Sequence, residues 1–321
     1  MIQSSFGARS TASEVVAGHD LRGKTILITG ASSGIGYETA RVLLSAHAEV
    51  LIAARDQAKG EQAVQALQAA YPESQVHFLP LDLGSLASVR QTVEQFSAHW
   101  NKLDVLINNA GIMATPLGHT PDGFEQQFAT NFLGHFLLAQ LLLPALRNTA
   151  PARVVSLTSG THRLSDIHFD DLQYQHRPYD KWEAYAQSKT ADALLAVALT
   201  RHFAEQGITA NAVNPGGIRT GLQDQYLTPE EIRARYYDEA GNLLPSFKTP
   251  EQGAATTVWA SVAPELEGIG GLYLEDCHQA VPYNPEISTL TGYMPYALNA
   301  DHAEQLWTIA RSLSSAKERR N

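Results

Sequence analysis

Lys24-Thr-Ile-Leu-Ile-Thr29, followed at once by Gly30-Ala-Ser-Ser-Gly34-Ile-Gly36, is the stretch whose reading decides the fold. Its first six residues form a short apolar, β-branched run of the kind buried on both faces of a sheet. The residues that follow, Tyr37 to His47, carry Ala40, Val42, Leu43 and Leu44 at helical periodicity. A strand, a glycine-rich turn and a helix in that order make the phosphate-binding corner of a dinucleotide fold. The glycines let the backbone turn tightly and approach a pyrophosphate. The free N–H groups at the helix N-terminus attract its charge. An ordinary strand-to-helix turn can also be rich in glycine, so the rest of the chain has to agree.

Working outward, apolar runs at 24–29, 49–54, 75–80, 105–108 and 153–158 predict strands. Helical patterns separate them at 35–47, 56–70, 85–100 and 123–146. A further helix at 181–206 and a sixth strand at 208–213 complete the alternation. Strands alternating with helices imply an α/β, Rossmann-type, doubly wound parallel sheet with helices on both faces. No linker or internal repeat divides the chain. Residues 1–20 read as a polar arm draped on the body, and 21–321 as one domain. Two stretches exceed a minimal fold of this kind. One, 160–183, carries Phe169, Tyr174, Tyr179 and Trp182. The other, 221–248, carries Leu222, Tyr226, Leu227, Tyr236, Tyr237, Leu243, Leu244 and Phe247. Pro229 with Thr228 before it predicts a short capped helix in the second. Loops of this length in a compact domain are commonly lids, whose aromatics pack on the body, contact substrate or do both.

Composition narrows the function classes. A chain of 321 residues with 44% hydrophobic and 17% charged residues is an ordinary globule. A net charge of −10 argues against nucleic acid or an anionic membrane as partner. Cys277, the single cysteine, leaves no intramolecular disulfide or thiolate cluster and reads as an inert buried residue. The histidines form no metal-ligand motif, and His162, His168 and His176 are expected to decorate a loop near the site. The N-terminus lacks the basic start and apolar core of a signal peptide. The longest apolar stretch, 132–146, falls short of the roughly 20 residues needed to span a bilayer and reads as a buried helix. The expected location is the cytoplasm.

Tyr185-Ala-Gln-Ser-Lys189 adds the chemistry. On a helix, positions four apart share a face. A free phenol, with a pKa of about 10, is a poor acid or base at neutral pH. A nearby ammonium favours the phenolate, so a tyrosine beside a lysine can exchange a proton with an alcohol or carbonyl.

Together these segments resemble the short-chain dehydrogenase/reductase family over nearly the whole chain from Leu21. Thr29-Gly30-Ala-Ser32-Ser33-Gly34-Ile35-Gly36 is similar to its cofactor turn, with glycines spaced Gly-x-x-x-Gly-x-Gly. Leu81-Asp82-Leu83 is similar to its adenine-contacting segment. Asn108-Asn109-Ala110-Gly111 is similar to the motif that supports its central sheet, and Asn214-Pro215-Gly216-Gly-Ile218-Arg-Thr220 to its nicotinamide-end segment. Asn131, Ser159, Tyr185 and Lys189 fall where the family carries its catalytic tetrad. Ser10-Thr-Ala-Ser-Glu-Val, Arg55-Asp and Gln252-Gly-Ala-Ala-Thr-Thr-Val are similar to retinol-dehydrogenase-like enzymes and to the dehydrogenase domain of the WW-domain-containing oxidoreductase. Neither a WW domain nor a membrane anchor is expected here.

The resemblance implies Tyr185 as proton donor and Ser159 as the group polarising a carbonyl, with Thr158 the neighbouring alternative. It implies Lys189 promoting the tyrosine's ionisation and holding the nicotinamide ribose, and Asn131 holding a relay water. Cofactor choice follows from charge. A carboxylate at the end of the second strand would suit NAD. Here Ala54 stands there and Arg55 follows, and a guanidinium suits the 2′-phosphate of NADP(H). Lys59, Ser32 and Ser33 could add to that pocket, while the plain reading of Arg55 is a surface pair with Asp56. The expected function is hydride transfer between NADP(H) and a bulky apolar ketone, aldehyde or alcohol. A C=C reductase of the protochlorophyllide-reductase type and a non-catalytic NADP-binding module are the alternatives. The expected partner is a small hydrophobic molecule. The apolar helices after Gly123 and around Tyr185 could pair two subunits.

Overall fold

The computed structural model describes residues 1–315. Eight strands form one sheet: β1 (Thr25–Thr29), β2 (Glu49–Ala54), β3 (Val76–Pro80), β4 (Val105–Asn108), β5 (Ala152–Leu157), β6 (Ile208–Asn214), β7 (Tyr273–Glu275) and β8 (His278–Gln279). Their order is β3-β2-β1-β4-β5-β6-β7-β8. Every pairing is parallel except the last, where β8 runs antiparallel to β7. The architecture is therefore the doubly wound α/β fold expected.

Side-chain alternation along β1 shows how the layers are built. Leu27 points into one core, while Ile26 and Ile28 point into the other. Behind Leu27 lie α4 (Leu86–His99), α5 (Gly134–Arg147), α6 (Lys181–Phe203) and α10 (Ala300–Ser315). Against Ile26 and Ile28 lie α1 (Ala12–Val16), α2 (Gly34–Ser45), α3 (Gln57–Ala70) and α9 (Ala255–Val262), which follows the one-turn α8 (Pro250–Gly253). The direction of winding reverses between β1 and β4, which opens a crevice at their carboxyl ends where such sheets bind ligands.

Several expectations change. β7 and β8, at three and two residues, were not foreseen. The arm is less polar than its composition suggests: Ala12, Val15 and Val16 are buried core. Its start also protects the sheet edge, since Ile2 N and O bond Gln279 Oε1 and N. The helix expected from Gly123 begins at Phe128 with a π-helical stretch, Phe128–Leu133, that runs into α5. The combined helix has 20 residues, long enough by length and composition to cross a membrane. The length argument against a span therefore fails, and 78% of its most apolar window is instead buried inside the fold. The short capped helix appears as α7 (Pro229–Tyr236), with Thr228 and Glu231 forming a capping box.

Candidate active site

The glycine turn is clamped by the residues after β4. Thr29 Oγ1 accepts from the backbone N–H groups of Asn109 (2.9 Å) and Ala110 (3.0 Å), and Asn109 Nδ2 donates to Thr29 O (2.7 Å). Gly30, at φ +69°, and Gly36 stand where no side chain fits. A Cβ on Gly30 would lie 2.8 Å from Ala110 Cα, and one on Gly36 would lie 2.5 Å from Asn109 Nδ2. Ser33 is the N-cap of α2, yet its hydroxyl makes no capping bond, and the first turn holds no acidic residue. The leading N–H groups of α2 thus suit an anion. Ser32 and Ile35 are half-buried beside them, and Gly34 faces Thr220 across the turn.

Arg55 follows β2, exposed and with no ion pair among the described residues. The plain alternative, a surface pair with Asp56, is not formed among the described residues. Asp56 instead caps α3 through Lys59 N (3.0 Å) and faces Lys59 Nζ at 3.8 Å. Asp82 Oδ1 accepts from Gly84 N (2.9 Å) and shapes the loop that leads to buried Leu83. The cradle, the open helix end and the free guanidinium fit a nicotinamide dinucleotide.

Two of the four tetrad positions, Asn131 and Lys189, meet at Gly111. A Cβ built there would lie 3.2 Å from Asn131 Oδ1 and 3.5 Å from Lys189 Nζ. Asn131 lies in the π-helical stretch. Its Oδ1 accepts from Ile112 N (2.8 Å), and its Nδ2 donates to Ile112 O (3.0 Å) and Ser188 Oγ (2.9 Å). It therefore ties the segment after β4 to α6. Lys189 Nζ lies 5.8 Å from the centre of the Tyr185 ring. It donates to Leu157 O (3.1 Å) and Asp192 Oδ2 (2.8 Å). Burial opposes its charge, but Asp192 and Tyr185 raise its pKa above the ordinary lysine value. Of the two adjacent hydroxyls, buried Thr158 donates to Lys189 O at 2.7 Å. Ser159 is half-buried, and its Oγ bonds Thr161 Oγ1 (3.2 Å) and accepts from Thr161 N (3.1 Å).

The segment after β6 wraps back over this site. Ile218 is buried, and Thr220 N donates to Gln223 Oε1 (2.9 Å) while Gln223 Nε2 donates to Ile218 O (3.0 Å). Pro215 is half-buried and Gly216 exposed, at φ +92°. Leu227 and Tyr236 then join Met113, Ala114 and Tyr185 in a small apolar cluster, flanked by Trp182, Leu222, Tyr237 and Phe247. The 221–248 stretch is thus a cap on Tyr185. The 160–183 stretch mostly packs elsewhere: Phe169 meets His302 edge-on, and Tyr174 meets Tyr179.

Sequence reasoning missed several residues beside the site. Asp192, three positions after Lys189, could have been found by helical spacing. His135, four positions after Asn131, could have been found the same way. Its Nδ1 lies 2.6 Å from Asn131 O, so that nitrogen donates, and Nε2 accepts from Thr29 Oγ1 at 2.8 Å. Burial pushes the His135 imidazole down to about 3. His162, expected on a loop surface, is buried: Nδ1 donates to Ser159 O (2.7 Å) and Nε2 accepts from Met294 N (3.1 Å). Cys277 is buried, its thiol pushed up to about 11 by burial. No group of metal-ligating side chains occurs among the described residues.

Comparison with known proteins agrees with this geometry. The short chain dehydrogenase family model matches residues 24–231, and the chain belongs to that family. A probable oxidoreductase of Streptomyces lividans is 44% identical over 302 residues, covering 92% of this chain and 99% of that protein. The polyprenol dehydrogenase of Danio rerio is 43% identical over 258 residues, covering 78% of each chain. A short-chain dehydrogenase from Shigella flexneri, solved with NADP, superposes with a TM-score of 0.61 at 25% identity. It covers 80% of this chain and 98% of its own.

Proposed function

We propose that this oxidoreductase uses NADP(H) to interconvert bulky apolar ketones or aldehydes and their alcohols, with Tyr185 as acid and base. One observation carries the reading: Tyr185 sits in an apolar cluster under the cap, with the Lys189 ammonium 5.8 Å from its ring. A nicotinamide bound along the glycine turn would supply the hydride. In the reductive direction the Ser159 hydroxyl donates to the substrate oxygen, and Tyr185 gives its proton to the developing alkoxide. Lys189 stabilises the phenolate left behind. In the oxidative direction the phenolate removes the alcohol proton. The cap excludes water and offers rings and leucines to an apolar substrate. The exposed Arg55 supports NADP(H) over NAD(H), and the polyprenol dehydrogenase of Danio rerio gives precedent for a bulky apolar substrate.

The test is NADPH consumption over aromatic, steroid, retinoid and aliphatic ketones and aldehydes, followed by Tyr185→Phe with the best substrate. Loss of a positioned general acid costs about 10²–10⁴-fold in rate, and NADPH affinity should stay within a few-fold. A variant that keeps more than about a tenth of the parent rate removes Tyr185 from the chemistry.

A further inference from the structure

Asp192 is 2% exposed on α6, and its placement differs from that of the buried carboxylates Asp171, Asp104 and Glu125. Asp171 accepts from three backbone N–H groups, those of Gln175 (2.7 Å), His176 (3.0 Å) and Arg177 (3.0 Å). Asp104 accepts from Lys24 Nζ and Thr25 N, and Glu125 from Gln127 N and Phe128 N. Each of these holds backbone in place. Asp192 holds none. Among the described residues, its Oδ2 meets only Lys189 Nζ, at 2.8 Å, and its Oδ1 has no hydrogen-bond partner. A carboxylate buried with one partner is costly to fold, and nothing in the architecture of α6 requires it.

We propose that Asp192 is a positioning residue: its carboxylate keeps Lys189 an ammonium within the sheet–helix interface and fixes Nζ beside Tyr185. The role rests on the functional reading of Tyr185 and Lys189 given above. A buried lysine without a counter-charge tends to lose its proton, and a neutral Lys189 could no longer favour the phenolate. The titratable groups facing Lys189 are Asp192 and Tyr185 on α6 and His135 on α5. β5 and the residue after it bring neutral groups to this side: Leu157 O accepts from Lys189 Nζ, Ser156 donates to Asp192 O and Thr158 donates to Lys189 O. His135 is neutral, so the charge on Lys189 depends on Asp192. Burial pushes the Asp192 carboxyl up, against the pull of Lys189.

The experiment is a pH titration by NMR of the full chain labelled at lysine Cε. Lys189 is assigned by the signal missing from Lys189→Arg, and exposed Lys102 serves as internal reference. In the parent, Lys189 should hold its ammonium shift to a higher pH than Lys102. In Asp192→Asn, its midpoint should fall by about one pH unit or more, to below that of Lys102. Asp192→Glu should restore most of the difference. A parent Lys189 that titrates with or before Lys102 overturns the proposal, and so does an Asp192→Asn midpoint equal to the parent's. If Asp192→Asn does not fold, the parent titration decides alone. The measurement uses neither substrate nor cofactor. A parent that reduces no carbonyl but shows a late-titrating Lys189 would therefore count against the functional reading and not against Asp192.

Discussion

Around the glycine turn, backbone atoms meet side-chain amides at fixed hydrogen-bond distances, whereas over Tyr185 the 221–248 cap rests on rings and aliphatic chains. In the first region, Thr29, Asn109 and Ala110 leave no room for a methyl group at Gly30 or Gly36. In the second, Leu227, Tyr236 and Phe247 touch Met113 and Tyr185 through apolar surface. The cap's polar ties sit at its margins: Lys181 Nζ to Glu231 (2.6 Å), Lys248 Nζ to Asp276 (2.6 Å) and Arg9 to Phe247 O (2.9 Å). Directional bonds fix a geometry, and apolar contact tolerates exchange among residues of similar volume. A cofactor common to many enzymes suits the first kind of wall, and a substrate particular to one enzyme suits the second.

Four measurements can break or sharpen this contrast. Gly36→Val should have the largest effect, because its Cβ would press on Asn109 Nδ2 and Gly30 O at 2.5 and 2.7 Å. Overpacking of this kind costs about 3 kcal/mol or more where backbone cannot move. NADPH binding by fluorescence should be lost and the melting temperature lowered. A variant that binds NADPH as the parent does would show the clamp to be soft.

Arg55→Ala comes next. Loss of a charge-assisted contact costs roughly 1.5–3 kcal/mol, or about 10- to 150-fold in NADPH affinity, with NADH affinity unchanged. Equal effects on the two cofactors would remove Arg55 from phosphate recognition.

A third test uses pH on the rigid side. His135 is held neutral in the fold, its pKa pushed down to about 3, whereas an unfolded histidine titrates near 6.5. Below that value the unfolded chain binds a proton that the fold does not. Stability therefore falls as pH drops, by about 1.4 kcal/mol per pH unit for this group. His135→Asn should remove one proton's worth of slope between about pH 6 and 5 in urea unfolding. The parent slope persisting in the variant would mean that His135 is charged in the fold.

The smallest effect belongs to the cap. Replacing Tyr236, Tyr237 and Phe247 with alanine should raise KM about three- to tenfold for bulky ketones and less than twofold for small ones, with kcat nearly kept. An equal rise for both would show that the cap packs the body without sensing the substrate.

Local chemistry made much of this protein legible. The β-branched runs, the glycine spacing and the capped α7 follow from steric rules that act within a few residues, and they appear where expected. The family resemblance carried Asn131, Ser159, Tyr185 and Lys189 into one site, and the fold gathers Asn131 and Lys189 at Gly111. Signals that span the chain were not legible. β7 and β8 are too short to show periodicity, and they exist because Tyr273–Glu275 pairs with β6 and shields its edge. The arm looked polar because three core residues among twenty do not alter a composition. Asp192 was passed over because nearly every residue from Ala184 to Leu199 is buried, so no apolar stripe marks it as out of place.

The sequence by itself determined the order of strands and helices, the cofactor turn and the tyrosine–lysine pair, since each depends on residues close together in the chain. Only the tertiary structure decided that Thr158 turns inward to Lys189 O while Ser159 stays half-buried, and that the cap covers Tyr185. The same holds for Lys189, whose Nζ is buried 2.8 Å from Asp192 Oδ2. Those outcomes depend on which atoms a folded interior leaves without water, and burial is a property of the whole packing rather than of any segment.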